Sequence, residues 1–471
     1  MKKNIKILFA AYECAPFYKV GGLGDVAGSL PKFLAKIGVD IRIALPFYKK
    51  IKDNYHGFRK IKEQGVSVAG QKTVVSIFEG RLPGSSVPVY FIDNENFEAI
   101  DIFDEQNRFR FTFFSYLIAT LPEIIGWQPD IFHLNDWHTG LVPPFLKRKN
   151  SQAKTIFTIH NLAYTGDTPL KNLKQFGFSK EDFSQVDKNM VNIMREAILK
   201  SDFVTTVSPT YAKEILTPEL ACGLEKALGQ KKKFLSGVIN GLDYSVFDPV
   251  TDRQISFPYS IENLNEKTKN KLYLQKISGL KVDPRIPIFG MISRLAGQKG
   301  FDILEKSFDK LMGLNLQLVI LGTGEKKYEL LFNELRKKHP DKFKFYNLFD
   351  TRLASQIYAG ADIFLMPSFY EPCGLGQLIA MRYGTLPVAR ATGGLKDTIA
   401  PVRKINFRPA NGFLFRGYDS ASLIGAVRQS LICYHQPKRW RQLQINAMKA
   451  DFSWGNSALK YFNLYQRVVF G

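Results

Sequence analysis

The amino-acid sequence predicts an α/β protein with two domains, each built around a parallel β-sheet. The chain has 471 residues, which is more than one ordinary hydrophobic core accommodates. Short apolar runs rich in β-branched residues alternate with helical patterns along most of its length, as in parallel sheets with crossover helices. Apolar residues make up 45% of the chain, an ordinary share for a globular protein.

The first series of elements starts near the N-terminus. Residues 5–10 are predicted as a strand, 23–37 as a helix and 41–45 as a strand. Three later apolar runs are expected to be buried strands, at residues 130–133, 155–159 and 203–207. Two further runs, 72–78 and 87–92, flank the turn signal Pro83-Gly84, and this pattern predicts a hairpin insertion.

A second series of strands follows Asp283-Pro284, at residues 286–292, 317–321, 343–346, 363–366 and 386–389. The polar, irregular stretch at 240–258 fits a linker, so we expect domains at 1–240 and 241–451. Residues 452–471 carry a helical pattern that is expected to pack back on the N-terminal domain, through Leu459, Phe462, Leu464 and Val468.

Composition excludes several classes of protein. The longest apolar stretch, 111–121, is shorter than the roughly 20 residues that a membrane helix needs, so no membrane partner is expected. A small-residue cleavage site is missing near the N-terminus, which indicates a cytoplasmic protein, or a plastid stromal one without its transit peptide. The four cysteines lie far apart and form no C-x-x-C pair, so neither disulfides nor a zinc site is supported.

The net charge of +22 has two interpretations. It attracts an anionic ligand such as a nucleotide diphosphate, or it is the sum of scattered, solvated lysines. RNA-binding signatures such as an aromatic-rich strand are absent from the sequence, so no nucleic-acid partner is expected.

A glycine-rich segment, residues 19–26, lies between the first strand and the first helix. Glycines allow close backbone approach and a helix N-terminus favours an anion, but a structural turn explains the segment equally well. A dinucleotide fingerprint at Gly22-x-Gly24-x-x-Ala27 is disfavoured, because about ten residues separate the strand from Gly21 where that motif needs a tight turn.

Polar residues follow two strands of the first series. The segment His133-Leu134-Asn135-Asp136-Trp137-His138 places polar residues, one of them an acid, beside a tryptophan, which suits a sugar. His133 itself is expected to be a packed core histidine. His160 and Asn161 follow the strand at 155–159; a structural role for His160 and a place in a site both remain open.

Two segments of the second series follow strands and precede helices. Arg294 and Lys299 suit a diphosphate, although a solvated basic loop is an equal alternative. Residues 367–377 form a turn with Glu371 and a glycine-rich helix start near Leu375, which fits phosphate binding. Cys373 lacks the partners of a nucleophile, so packing is expected.

These segments, in this order, resemble the glycogen and starch synthases of the bacterial and plant type, glycosyltransferase family 5. The resemblance extends over essentially the whole chain, including Ala15-Pro16-Phe17, residues 158–166, Asn240-Gly241-Leu242-Asp243, residues 392–398 and Asp451-Phe452-Ser453-Trp454. It implies the GT-B fold, with two Rossmann-like domains that face each other across a deep cleft.

The resemblance also implies a reaction and its residues. The expected reaction is retaining transfer of glucose from ADP-glucose to the non-reducing 4-OH of an α-1,4-glucan such as glycogen, starch or a maltooligosaccharide, with no metal and no cofactor. The implied catalytic residues are Arg294 and Lys299 at the diphosphate, Glu371 at the glucose hydroxyls and the main-chain carbonyl of His160 at the anomeric carbon. The implied substrate-binding residues are Lys19, Gly21, Gly22, Asp25, Asp136, Asn161, Asn240, Tyr358, Cys373, Gly374, Leu375 and Gly376.

Two positions depart from the family pattern. The family commonly has His-x-His-Asp-Trp-His, and here Asn135 replaces the second His. The family commonly has Glu-Pro-Cys-Gly-Leu-Thr-Gln, and here Gly376 replaces Thr, so a hydroxyl contact to the donor is lost while the backbone N–H is kept. A related GT-B enzyme with UDP-glucose or another acceptor, and an inactive glucan-binding protein, are the alternatives.

Overall fold

The structure is a computed structural model that describes residues 4–68, 70–98, 107–402 and 410–471. It separates into two compact units. The first unit comprises the residues up to Gly241 together with Trp454–Gly471, and the second comprises Leu242–Ser453. The chain therefore crosses between the units at two points, after Gly241 and after Ser453, which lie one and two residues beyond the ends at 240 and 451 expected from the sequence.

The strands are, in chain order, β1 Lys6–Ala10, β2 Asp40–Pro46, β3 Arg59–Val68, β4 Gln71–Arg81, β5 Pro88–Asp93, β6 Ile131–Asn135, β7 Lys154–Ile159, β8 Thr168–Pro169, β9 Met190–Val191, β10 Phe203–Thr206, β11 Leu235–Gly237, β12 Ile288–Ile292, β13 Gln317–Leu321, β14 Phe343–Tyr346, β15 Ile363–Met366, β16 Leu386–Arg390 and β17 Phe413–Phe415.

The α-helices are α1 Gly22–Lys36, α2 Lys49–Asn54, α3 Asn107–Ile125, α4 Val142–Arg148, α5 Leu170–Lys174, α6 Ile193–Lys200, α7 Pro209–Glu214, α8 Glu225–Gln230, α9 Lys267–Ile277, α10 Phe301–Met312, α11 Lys326–Lys338, α12 Thr351–Gly360, α13 Gly376–Arg382, α14 Gly393–Thr398, α15 Ser420–Tyr434, α16 Pro437–Lys449 and α17 Trp454–Phe470.

The first unit contains a sheet of nine strands among its described residues, in the order β11-β10-β7-β6-β1-β2-β5-β4-β3. The strands from β11 to β5 are parallel, and β4 and β3 are antiparallel to their neighbours. Ile7, Leu8 and Phe9 of the central β1 are fully buried, because helices cover both faces of a parallel sheet.

The predicted hairpin is present but is not an insertion. Strands β4 and β5 pair antiparallel, and β5 also pairs parallel with β2, so the hairpin extends the main sheet. Strand β3 was not predicted from the sequence, because it lies at the sheet edge and most of its residues are exposed. Strands β11 and β17, each only three residues long, were not predicted either.

The second unit contains a parallel sheet of six described strands in the order β14-β13-β12-β15-β16-β17. The predicted linker after Asn240 is irregular but packs into this unit, which corrects the expectation. Leu242, Ile255 and Tyr259 are buried in its core. Asp248 pairs with Arg382 at 2.6 Å, which anchors the segment further.

The C-terminal helix α17 belongs to the first unit, and Leu464 is buried as expected, but the rest of the buried face is formed by residues other than those expected. Trp454, Tyr461 and Tyr465 are fully buried, whereas Leu459 is half exposed. The Ser457 hydroxyl donates to the Ile239 carbonyl at 2.6 Å. Tyr465 on this face also bonds to the strand behind it, because its hydroxyl lies 2.7 Å from Nδ1 of His133.

In each unit, the carboxyl ends of the parallel strands meet at one edge of the sheet, which is where α/β proteins bind ligands. Most residues expected from the sequence to bind substrate follow β1, β6, β7 and β11 in the first unit, and β12 and β15 in the second, whereas Tyr358 lies within α12. In the part of the chain that the structure describes, no helix is both long enough and apolar enough to span a bilayer.

Candidate active site

The second unit brings two expected catalytic residues into contact. The Lys299 ammonium lies 2.7 Å from Oε2 of Glu371, and the Ser368 hydroxyl donates to the same oxygen at 3.1 Å. The Glu371 carboxylate is almost entirely buried. A buried carboxylate needs such partners, because an unpaired charge of this kind is costly to desolvate.

The loops that carry these residues are bound to each other along the backbone. The Phe369 N–H donates to the Gln298 carbonyl at 2.8 Å, and the Gln298 side chain donates to the Tyr370 carbonyl at 3.0 Å. Gly300 has φ of 75°, and any side chain there would collide with the Pro367 carbonyl. The loop after β12 therefore packs directly on the loop after β15.

A second glycine contact fixes Glu371 from the other side. Gly393 has φ of 43°, and a Cβ at this position would collide with the Glu371 carbonyl oxygen. The Gly394 N–H donates to that oxygen at 3.0 Å. The resemblance had included Gly393 and Gly394 without giving them a role, and their role here is to let α14 approach the Glu371 backbone.

The turn after Glu371 contains the other residues expected to contact the phosphate. Helix α13 begins at Gly376, with Leu375 as its N-cap, one residue beyond the expected start. The Gln377 amide donates to the carbonyls of Cys373 and Gly374, at 3.1 and 2.7 Å, and so closes the turn. Cys373 is buried, in agreement with the packing role expected for it.

The site around Gly376 is filled by aromatic rings. A Cβ at Gly376 would lie 2.9 Å from the Phe364 ring and 3.6 Å from the Tyr358 hydroxyl. Tyr358 is buried, and its ring packs against Phe364 with 5.1 Å between centroids. The space that a threonine methyl and hydroxyl would need is therefore occupied in this chain.

Arg294 lies on an exposed loop that is tied to the loop after β13. The Leu295 N–H donates to the Thr323 carbonyl at 2.8 Å, and the Gly297 N–H donates to Oε1 of Glu325 at 3.0 Å. A hydrogen bond from Lys327, together with the Gly297 N–H and the charge of Arg294, lowers the pKa of Glu325. The loop thus presents its cation beside a carboxylate that stays ionised.

Arg390 is a further cation at this sheet edge that the sequence analysis missed. It ends β16, donates from Nη1 to the Phe369 carbonyl, and lies over the rings of Phe369 and Tyr418. A single arginine at the end of a strand carries no motif, so only the pairing of β15 with β16 reveals it.

In the first unit, a buried acid organises the glycine loop. Glu13 is fully buried, and its Oε2 accepts hydrogen bonds from the N–H groups of Val20 and Gly21, at 2.5 and 2.8 Å. Burial raises the pKa of Glu13, against the opposing effect of these N–H groups. The N–H of Gly21 is thus engaged by Glu13 and is turned away from an external anion.

The charged groups of this loop pair with each other. Lys19 donates to Oδ1 of Asp25 at 2.7 Å, and both side chains are partly exposed. Gly22 begins α1 and has open space around its Cα. Lys19, Gly21, Gly22 and Asp25 therefore lie together at the start of one helix, as the glycine-rich segment predicts.

Asp136, His160 and Asn161 meet at the ends of β6 and β7. Oδ1 of Asp136 accepts the backbone N–H groups of His160 and Asn161, at 2.8 and 3.4 Å. Asp136 has a left-handed φ of 56°, and burial raises its pKa to about 7. The His160 ring lies with Nε2 at 2.9 Å from Oδ1 of Asn135, and burial lowers its pKa to about 3.

Two other polar residues of this unit, His133 and Asn240, are also buried. His133 is a buried core histidine, as expected, and contacts Thr158 at 2.7 Å through Nε2. Asn240 follows β11, is buried, and its Oδ1 accepts no hydrogen bond from the residues that the structure describes.

Two α/β units with parallel sheets, and with cations, carboxylates and glycine turns at the carboxyl ends of their strands, define a glycosyltransferase of the GT-B fold class. Two family models match the chain: the starch synthase catalytic domain over residues 6–230, and glycosyl transferases group 1 over residues 275–446. The chain belongs to the glycogen and starch synthase family of glucosyltransferases.

The chain is similar to its relatives along nearly their full length. It is 41% identical to a glycogen synthase of Kosmotoga olearia, over 99% of this chain and 98% of the relative. It is 43% identical to a glycogen synthase of Moorella thermoacetica, over 100% and 98%. The catalytic domain of starch synthase IV from Arabidopsis thaliana, solved with ADP and acarbose, superposes with a TM-score of 0.89 at 33% identity, over 99% of each chain.

Proposed function

We propose that this enzyme transfers glucose from ADP-glucose to the non-reducing 4-OH of an α-1,4-glucan, with retention of anomeric configuration and without a metal ion, in the cytoplasm. The observation that carries the proposal is the contact between Lys299 and Glu371, at the edge of the sheet that also presents Arg294. Membership of the family supports the choice of glucosyl donor and glucan acceptor. The ADP present in the related plant structure supports the nucleotide.

The cations of the second unit are suited to stabilise a diphosphate leaving group. Negative charge develops on the leaving ADP as the bond between glucose C1 and the phosphate oxygen breaks, and preorganised cations stabilise it without solvent reorganisation. Arg294 offers a planar fork and Lys299 a point charge, which together suit two phosphate groups. Lys299 is already oriented by Glu371, so little side-chain freedom is lost when the donor binds.

The carboxylates suit the sugar. Glu371 accepts only two hydrogen bonds from the described protein groups at Oε2, and the glucose hydroxyls of the donor are the partners we assign to its remaining capacity. In the first unit, Asp136 holds the backbone at His160 and Asn161, so that the His160 carbonyl stays in place as positive charge develops on the anomeric carbon.

The glucan product tests the reaction class. Radiolabelled glucose from ADP-glucose should appear in glycogen, and β-amylase, which cleaves α-1,4 links from the non-reducing end, should release all of it as maltose. Label that resists β-amylase would point to another linkage or acceptor and would contradict the proposal.

Metal dependence is tested separately. Because cationic side chains meet the diphosphate, initial rates in excess EDTA should match those in Mg²⁺ within a factor of two. If activity is lost in EDTA and restored by Mg²⁺ or Mn²⁺, a metal ion neutralises the charge of the diphosphate, and the role proposed for Arg294 and Lys299 is wrong.

A further inference from the structure

Asn135 occupies the last position of β6 and joins the two neighbouring strands through its side chain. Its Nδ2 lies 2.9 Å from the carbonyl oxygen of Ala10, at the end of β1. Its Oδ1 lies 2.9 Å from Nε2 of His160, which directly follows β7. Asn135 is fully buried, so both contacts are shielded from water.

The two contacts leave one orientation for the Asn135 amide. A backbone carbonyl only accepts hydrogen bonds, so the group that faces Ala10 must be the NH₂. The oxygen therefore faces His160, and an amide oxygen also only accepts. It follows that Nε2 of His160 is the donor and carries a proton.

The proton on Nε2 determines the state of the whole ring. Burial lowers the pKa of His160 to about 3, so the ring is neutral near pH 7 and holds one proton. That proton is on Nε2, and Nδ1 therefore has a lone pair. Nδ1 has no hydrogen-bond partner among the residues that the structure describes. The backbone of the same residue is fixed by Asp136, which accepts its N–H at 2.8 Å.

We propose that Asn135 is a positioning residue for glucosyl transfer, which holds His160 as the Nε2–H tautomer so that Nδ1 accepts a hydrogen bond from a hydroxyl of the sugar nucleotide. This inference rests on the proposed function. The family commonly has a histidine at this position, and an imidazole there either donates or accepts. The amide of Asn135, with its NH₂ turned to Ala10, offers His160 only an acceptor.

The tautomer is measured directly by NMR on the full-length protein without substrate. The chain has six histidines, so labelling with ¹⁵N,¹³C-histidine gives few ring signals, and the variant His160→Gln identifies those of His160. We expect the pattern of a neutral ring protonated at Nε2 between pH 6 and 8. A ring protonated at Nδ1, or a charged ring, would overturn the proposal.

Two substitutions of Asn135 distinguish the effect of its acceptor oxygen from the effect of its side-chain volume. Asn135→Leu removes the acceptor and leaves a buried Nε2–H without a partner, so the ring proton should move to Nδ1. We expect kcat/KM for the sugar nucleotide to fall by roughly tenfold, the loss typical of one hydrogen bond. Asn135→Asp keeps an oxygen opposite Nε2 and, when its buried carboxyl is protonated, an O–H for the Ala10 carbonyl, so it should retain the tautomer and lose less activity than the leucine variant.

Thr158→Val is the matched control. Thr158 is the β7 partner of Asn135 in the strand register, is equally buried, and contacts His133 and Thr205 but not the His160 ring. It should lower stability and leave the His160 signals and kcat/KM unchanged. If Asn135→Leu keeps the Nε2–H tautomer, or changes it without loss of kcat/KM, the positioning role is wrong. If the wild type has the expected tautomer but transfers no glucose, the proposed function is wrong, whereas the assignment of the tautomer still holds.

Discussion

The ammonium of Lys299 lies 2.7 Å from the carboxylate of Glu371, although the two residues are 72 positions apart in the chain. The contact exists because β12 and β15 are neighbours in the sheet, so the loops at their carboxyl ends meet. A diphosphate that binds Lys299 then shares this cation with Glu371, and a sugar hydroxyl that binds Glu371 meets a carboxylate whose position Lys299 has set. If the donor binds as proposed, its diphosphate and its sugar are coupled through this one ion pair.

Substitution of Glu371 by Gln should affect the chemical step more than donor binding. The amide keeps the size of the carboxylate but removes its charge, so Lys299 loses its ionic partner and the sugar loses a strong acceptor. We expect kcat to fall by about 10² or more, with a smaller change in KM for the donor. Steady-state kinetics on a variant with unchanged thermal unfolding checks this.

Glu325→Gln is the control for that substitution. Glu325 lies on the adjacent loop and its side chain is about half exposed, and glutamine retains an acceptor for the Gly297 N–H. It should remain within a factor of three of the wild-type kcat. Equal losses in both variants would show that loop integrity, and not the Glu371 charge, is responsible.

Arg294→Ala and Lys299→Ala should each reduce kcat by about 10²–10³, the usual effect of removing one donor from a developing oxyanion. Arg285→Ala serves as control, because Arg285 is an exposed arginine of the same unit that pairs with Asp283. If both variants lose less than tenfold while the control is unaffected, neither cation serves the leaving group.

Glu13 should govern the affinity for the donor. Its carboxylate binds the N–H groups of Val20 and Gly21, and so sets the position of Lys19. Glu13→Leu removes the acceptor of these two part-buried N–H groups and should raise the donor KM at least tenfold. Glu13→Gln keeps one acceptor and should recover most of the affinity. Identical kinetics for the two variants would contradict a positioning role.

Asp136 should make stability depend on pH. Burial raises its folded-state pKa to about 7, well above its ordinary value, so the folded protein holds a proton there that the unfolded chain releases. The contribution of this proton to the free energy of unfolding is complete below about pH 4. It is lost as the pH rises through about 7, at up to about 1.4 kcal/mol per pH unit. Compared with Asp136→Asn, the wild-type free energy of unfolding should decline over this range. Parallel curves for the two proteins would rule out the shift.

The sequence predicts best those parts of the fold whose residues are buried on all sides. The apolar runs at β1 and β12 stand out, because parallel strands are continuous hydrophobic runs, and they locate the polar loops at their carboxyl ends. Strand β3 is not predicted because it lies at the exposed edge of the sheet and its sequence has few apolar residues.

The residues that orient the site are harder to predict. Glu13 is one acid in a turn, and Arg390 is one base at a strand end, so neither forms a motif. The partners of Glu371 are also hidden, because Lys299 and Gly393 reach it through sheet order and not through sequence spacing. Physical contact between distant segments is the information that a single sequence lacks.

Glucosyl transfer from ADP-glucose is tested most directly by a comparison of the two common donors. Purified protein is assayed for release of ADP from ADP-glucose and of UDP from UDP-glucose, each with and without glycogen. We expect a kcat/KM for ADP-glucose at least tenfold above that for UDP-glucose, and release of ADP that depends on glycogen. A higher kcat/KM for UDP-glucose, or release that is equal without glycogen, would contradict this expectation.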